Sequence, residues 1–281
     1  MMVFLNGQFV PEDQAFVSVF DRSFLYGDGL FETMRIFGGK PFRWNQHLAR
    51  LQGGAEFLKI GLPFTSEALR GFAEQLIEAN KMPDSLLRLT LSRGIGQRGY
   101  SPRGAERPSL VMTLHPALAL DAQELPHWRL IASSVRLPAN ERLAQFKTCN
   151  KLPQIVARAE ADAAGADEAL LLNTDGFVVE ASSSNLFWIE RDTVCTPPLA
   201  SGILAGVTRA VVFEICQSLG LAVQEAGVTP DQLTKSQGIF LSLSSVGIAE
   251  CLWLDGHDLA QSALVKKLRV AYWNLVRAES R

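Results

Sequence analysis

No stretch of this sequence is long and apolar enough to span a membrane. Met1 to Val10 holds an apolar patch broken by Asn6 and Gly7, too short for a signal h-region, and no later run approaches ~18 apolar residues. The expectation is a cytoplasmic protein with no membrane partner. Cysteine is scarce: Cys149, Cys195, Cys216 and Cys251 lie far apart with no C-x-x-C pair, which suits a reducing compartment better than a disulfide framework or zinc site. The histidines, His47, His115, His127 and His257, form no H-E-x-x-H cluster, so no metal is expected. Charge excess is also missing. A formal net charge of −2 leaves no footprint for a phosphate backbone, and nucleic acid is not an expected partner. What remains is small-molecule chemistry on an ordinary globular chain of 281 residues, 47% hydrophobic and 20% charged, enough for one large domain or two smaller ones.

Short β-rich runs occur at Met2 to Leu5, Leu30 to Phe37, Ser85 to Ser92 and Ser109 to His115, with helical periodicity over Trp44 to Ile60 and Glu67 to Ala79. This half reads as α+β. Periodicity is lost around Pro116 to Pro126, which sets a boundary between a domain at 1–118 and one at 119–281. Beyond it come an apolar run (Trp128 to Val135), a helix (Leu152 to Ala164), strands at Ala169 to Leu172, Phe177 to Val179, Asn185 to Ile189 and Gly238 to Leu243, and helices at Val207 to Leu219 and Gln261 to Ala278. No internal repeat or low-complexity tract interrupts them.

Gly94, Gly96 and Gly99 spell G-x-G-x-x-G after a strand, the arrangement that cradles a dinucleotide pyrophosphate. Tyr100-Ser101-Pro102-Arg103-Gly104 follows, with Pro108 close behind, so no helix can supply the N–H groups such a site needs. The segment reads instead as a flexible loop carrying Arg93, Arg98, Arg103 and Tyr100, in which guanidinium groups suit carboxylate recognition and the alternative is a solvated basic loop.

Lys147 lies in Gln145-Phe146-Lys147-Thr148-Cys149-Asn150, between an irregular segment and a helix, where a lysine by itself reads as solvated. Glu180 closes a short strand and leads into Ala181-Ser182-Ser183-Ser184-Asn185, a small-polar turn. Gly202-Ile203-Leu204-Ala205-Gly206-Val207-Thr208-Arg209 then opens a helix whose first N–H groups and Thr208 hydroxyl suit a phosphate.

In this order and spacing, these features resemble the class IV aminotransferase family, the fold-type IV pyridoxal-phosphate enzymes that include branched-chain and D-amino acid aminotransferases and 4-amino-4-deoxychorismate lyases. The resemblance covers nearly the whole chain, from Asp21-Arg22-Ser23-Phe24-Leu25-Tyr26-Gly27-Asp28-Gly29-Leu30-Phe31-Glu32-Thr33 through His47-Leu48-Ala49-Arg50-Leu51 and Lys147 to Phe240 to Ser245. It implies a two-domain α+β / α/β fold with pyridoxal 5′-phosphate between the domains, and a homodimer. It implies that Lys147 carries the cofactor, that Glu180, beside Ser183, Ser184 and Asn185, meets the pyridine nitrogen, and that Arg50, Val207, Thr208 and Ser244 hold the phosphate while Leu204 packs on the ring. Phe31, Arg98 and Tyr100 are the implied substrate residues.

Within the family, Ser92-Arg93-Gly94-Ile95-Gly96-Gln97-Arg98-Gly99-Tyr100-Ser101 and Val135-Arg136-Leu137 resemble the aminodeoxychorismate lyases, which make 4-aminobenzoate for folate biosynthesis. Phe31 departs from D-amino acid aminotransferases, which usually carry tyrosine there. The alternative is an aminotransferase acting on D- or branched-chain amino acids and 2-oxo acids. Lys147 and Glu180 argue against a family member that has lost catalysis.

Overall fold

A computed structural model describes residues 1–118 and 126–280, and the aperiodic stretch that sets the sequence boundary falls largely outside them. The chain divides into two compact units: Met1–Leu118 with Phe146–Asn150 and Val276–Arg281, and Ala119–Gln145 with Lys151–Leu275. Among the described residues, no helix is long and apolar enough to cross a membrane.

The first unit contains β1 (Met2–Leu5), β2 (Gln8–Pro11), α1 (Arg22–Tyr26), β3 (Gly29–Phe37), β4 (Lys40–Pro41), α2 (Trp44–Leu58), α3 (Ser66–Asn80), β5 (Ser85–Ser92) and β6 (Ser109–Pro116). Its antiparallel sheet runs β2-β1-β6-β5-β3-β4. The pleat explains the order along each strand: Leu87, Leu89 and Leu91 of β5 and Leu110, Met112 and Leu114 of β6 are fully buried at alternate positions. They share a core with Leu48, Leu51 and Ala55 of α2 and Leu69, Ala73 and Leu76 of α3, residues spaced to form one helix face. Thr65 caps α3 by accepting the Ala68 N–H. The same alternation sends Leu30, Met34 and Ile36 of β3 into that core, so Glu32 faces the helices and Phe31 faces away.

The lysine segment departs from the sequence reading, which puts it in the second domain. Phe146–Asn150 groups with the first unit because its backbone pairs with the start of β3: the Phe31 N–H donates to the Lys147 carbonyl (2.9 Å) and the Cys149 N–H to the Gly29 carbonyl (2.8 Å). Phe146 stacks on Phe57 with centroids 4.3 Å apart.

The second unit contains β7 (His127–Leu137), α4 (Leu152–Ala163), β8 (Glu168–Asn173), β9 (Val178–Ala181), β10 (Asn185–Glu190), β11 (Thr193–Thr196), α5 (Val207–Ser218), β12 (Val223–Glu225), α6 (Pro230–Leu233), β13 (Ile239–Leu243), β14 (Gly247–Leu254), β15 (His257–Asp258) and α7 (Ala263–Glu279). Its sheet runs β12-β11-β10-β13-β14-β7-β8-β9, with β15 on β14. β7 and β8 are parallel, which requires a crossover, and α4 lies within it. Every residue of β8 is buried, which accounts for its unbroken apolar run.

Candidate active site

In the first unit, α2 carries His47 and Arg50 three residues apart on the face turned to β3. Arg50 makes a fork to Glu32, Nε to Oε1 at 2.8 Å and Nη2 to Oε2 at 2.6 Å. His47 Nδ1 lies 2.7 Å from Glu32 Oε2. Burial works against the Glu32 charge, but the field and hydrogen bonds of Arg50, with those of His47, outweigh it and hold the carboxyl at about 2. Burial also lowers the His47 pKa, against the pull of Glu32, so the ring is neutral at pH 7 and donates its Nδ1 proton to the carboxylate. A phosphate contact from Arg50, as expected from the sequence, would have to coexist with this fork.

Because the folded pKa of Glu32 lies below its ordinary 4.5, the stabilisation from its charge is complete above about pH 4.5 and is lost as pH falls toward 2. Urea unfolding at a series of pH values should show wild type losing about 3 kcal/mol more than Glu32→Gln across that window. Parallel losses in the two proteins would contradict the assignment.

Lys147 is half-buried. Its Nζ lies 4.7 Å from the Phe31 ring centroid, and Arg88 of β5 places its guanidinium carbon 4.0 Å from the same centroid. Burial lowers the Arg88 pKa, against the Cys149 field. Arg88 is the residue that sequence reasoning missed. Its only signal was a charge among the leucines of β5, at an alternate position that the pleat places on the Phe31 side.

The loop from Arg93 to Arg103 separates by role. Arg93 is buried and satisfied internally, with Nε on Asp28 and the two other nitrogens on the Leu58 and Lys59 carbonyls, so its guanidinium holds the chain together and the sequence reading of it as a carboxylate-recognising loop residue is corrected. Arg98 and Tyr100 are exposed, Tyr100 by 89%. The loop continues into no helix. Gly94 is required there for a different reason: it has φ +88°, and a Cβ would fall 1.9 Å from the Arg107 carbonyl.

In the second unit, Glu180, next to last in β9, is buried, and its Oε2 accepts the Leu204 N–H at 3.1 Å. Asn185 Nδ2 donates to the Leu204 carbonyl at 2.9 Å, so Leu204 is held on both sides. A Cβ on Gly206 would fall 1.9 Å from Asn185 Oδ1, which explains glycine before α5. No side chain caps α5, whose first residues, Val207 and Thr208, are buried. The Ser184 and Ser242 hydroxyls are buried without a hydrogen-bond partner, and β10–β13 pairing sets Asn185 opposite Ser242. Ser244 follows two residues later, half-buried in the turn after β13.

Ser183 is placed differently from its neighbours. Its hydroxyl donates to Glu168 Oε2 (2.6 Å), and the Ser182 hydroxyl donates to Oε1 of the same fully buried carboxylate. Antiparallel pairing of Leu170 with Ala181 brings Glu168 opposite this turn, which Glu168 therefore braces.

A family model, Amino-transferase class IV, matches residues 29–252. The chain is 35% identical over 273 residues to a protein of Methanocaldococcus jannaschii named "Putative branched-chain-amino-acid aminotransferase", covering 96% of this chain and 94% of that one. It is 33% identical to the solved 4-amino-4-deoxychorismate lyase of Pseudomonas aeruginosa, with TM-score 0.83 and coverage of 99% and 98%. It is 29% identical to the branched-chain aminotransferase of Thermoproteus uzoniensis solved with norvaline, with TM-score 0.91 and coverage of 99% and 95%. Lyases and aminotransferases therefore both stand among its relatives. The chain belongs to the class IV aminotransferase family, whose cofactor is pyridoxal phosphate.

Proposed function

We propose that this chain is a pyridoxal-phosphate-dependent lyase that converts 4-amino-4-deoxychorismate to 4-aminobenzoate and pyruvate in folate biosynthesis. The observation that carries this reading is the loop ending in Arg98-Gly99-Tyr100. It has the sequence expected of the lyases, and Arg22 and Tyr26 hold its backbone while Arg98 and Tyr100 project outward. A second reading, an aminotransferase on branched-chain or D-amino acids, is favoured by the identity to the M. jannaschii protein and by the TM-score to the T. uzoniensis enzyme.

The residues fit the cofactor on two counts. The start of α5 offers uncapped N–H groups beside Thr208, and orphaned hydroxyls stand at Ser184 and Ser242. Lys147 is the attachment point, Glu180 the partner of the pyridine nitrogen, Leu204 the ring contact, and Arg50, Val207, Thr208 and Ser244 the phosphate ligands. When bound, pyridoxal phosphate supplies an aldehyde for the substrate amine and a pyridinium that draws electrons from the neighbouring carbon. Glu180, as a carboxylate, holds the proton on that nitrogen. With the cofactor bound, the Lys147 amine would take the proton from the amine-bearing ring carbon of the substrate. Lys147 would return that proton to the methylene carbon of the leaving enolpyruvyl group, giving pyruvate and the aromatic 4-aminobenzoate. Arg88, whose guanidinium lies against the same Phe31 ring that Lys147 Nζ approaches, joins Phe31, Arg98 and Tyr100 as a substrate residue and suits a carboxylate.

We read the protein as a cytoplasmic homodimer. Phe16, Val19, Phe20 and Phe24 are each more than 60% exposed within one short segment, an apolar surface of the kind that subunits cover. Sedimentation should give twice the 30.8 kDa chain mass. The reaction itself is tested by supplying aminodeoxychorismate alone. Equal amounts of 4-aminobenzoate and pyruvate, formed without any 2-oxo acid, are expected. Turnover only of D-alanine or leucine with 2-oxoglutarate would replace the lyase reading with the second one.

A further inference from the structure

The loop that presents Arg98 and Tyr100 belongs to no helix or strand ladder, and Gly94, Gly99 and Gly104 all sit at positive φ within or beside it. A backbone bridge from Asp21 to Ile95 anchors its start, with the Arg22 N–H on the Gly94 carbonyl, and beyond it the order comes from side chains. Arg22 supplies most of it: Nη1 donates to the carbonyls of Gly99 (2.9 Å) and Ser101 (3.1 Å), and Nη2 to that of Tyr100 (3.2 Å). The Tyr26 hydroxyl accepts the Gly99 N–H at 3.0 Å, and the Tyr26 ring meets that of Tyr100 edge-on.

Three carbonyls alone are a poor environment for a buried cation, because their dipoles leave its charge uncompensated. Arg22 is only 4% exposed. The compensating charge is Asp28, whose Oδ2 accepts from Arg22 Nε at 2.8 Å and from Arg93 Nε at 2.7 Å. Arg93 in turn holds the Leu58 and Lys59 carbonyls at the end of α2, the helix that carries His47 and Arg50. Burial works against the Asp28 charge, but hydrogen bonds from Arg93 and Arg22 and the fields of both keep its carboxyl below the usual range. One carboxylate thus fixes the planes of two guanidiniums, one gripping the loop and the other gripping α2.

We infer that Asp28 is a positioning residue for substrate recognition: it orients Arg22, and through Arg22 the Gly99–Ser101 backbone that presents Arg98 and Tyr100. The inference rests on reading that loop as the substrate loop. Asp28 touches neither of those two side chains' working ends, so its removal should alter substrate binding without altering the cofactor.

The test compares wild-type holoenzyme with Asp28→Asn and with Arg22→Lys, which keeps the cation but lacks the fork. It measures hydrogen exchange in a peptide spanning 97–101, the absorbance spectrum, and kcat and KM separately. Faster loop exchange by about tenfold or more, a KM raised about 10- to 100-fold, and an unchanged cofactor band with kcat within a few-fold are expected. Loop exchange unchanged in Asp28→Asn would overturn the role of Asp28, whatever Arg22→Lys does. Faster exchange with unchanged KM would uphold the clamp and overturn the substrate-loop reading. Should Asp28→Asn fail to fold, Asp28→Glu, which keeps the charge but displaces it from Arg22 Nε, takes its place in the same comparison.

Discussion

Replacing Lys147 with alanine should lower kcat/KM by at least about 10⁴-fold while leaving the fold intact. Both halves of that expectation have a structural basis. The contacts that seat the lysine segment are backbone bonds, from the Phe31 N–H to the Lys147 carbonyl and from the Cys149 N–H to the Gly29 carbonyl, and alanine keeps them. The side chain lost is half-buried over Phe31, so the melting temperature should move by no more than a few degrees. On the proposed mechanism the amine has two tasks, attachment of the cofactor and movement of a proton at the substrate carbon. Positioned proton transfer alone contributes about 10²–10⁴-fold, and loss of covalent attachment adds to that. Steady-state kinetics on the folded variant check it, and retention of more than a hundredth of wild-type activity would assign the proton transfer to another group.

Glu180→Gln should be the second most damaging change, at about 10²–10³-fold in kcat, with little loss of stability. Glutamine keeps an oxygen able to accept the Leu204 N–H, so the strap that Glu180 and Asn185 make on Leu204 survives. What disappears is the negative charge that, on the proposed mechanism, keeps the pyridine nitrogen protonated. Glu180→Ala loses the charge and the strap together, and should add weaker cofactor retention to the same loss of rate. Equal kinetics for Glu180→Gln and wild type would remove the carboxylate from the chemistry and leave it a structural partner of Leu204. Measuring kcat and cofactor dissociation for both variants separates the two contributions.

Much of the fold was legible because the strands and helices that build each core follow their periodicities closely. β5 occupies the same residues, Ser85–Ser92, that alternation marks, and α2 and α3 start within a residue of where their apolar spacing begins. α1 was missed because it is five residues long and is made by its ends: Asp21 accepts the Ser23 N–H, and Gly27 closes the helix in the left-handed region. β14 was missed because Glu250, completely buried, interrupts its apolar run. The grouping of Lys147 with the first unit follows from backbone pairing with β3, which leaves no side-chain pattern to read.

The candidate site was legible as an order of motifs, and less so as a set of contacts. Arg93 and Arg98 are equally basic loop residues in sequence, yet Arg93 is enclosed by Asp28 and two carbonyls while Arg98 is exposed. Ser183 and Ser184 are adjacent serines in one turn, yet Ser183 donates to Glu168 whereas the Ser184 hydroxyl is buried and unpartnered. In each pair the difference is set by residues distant along the chain, and local composition carries no trace of it.

The proposed chemistry turns on Lys147, and borohydride reduction of the purified yellow protein, followed by peptide mass mapping, tests it most directly. A phosphopyridoxyl mass on the peptide containing Lys147, with loss of the visible band, is the predicted result. The same modification on another lysine, or a wild-type protein that takes up no pyridoxal phosphate, would contradict it.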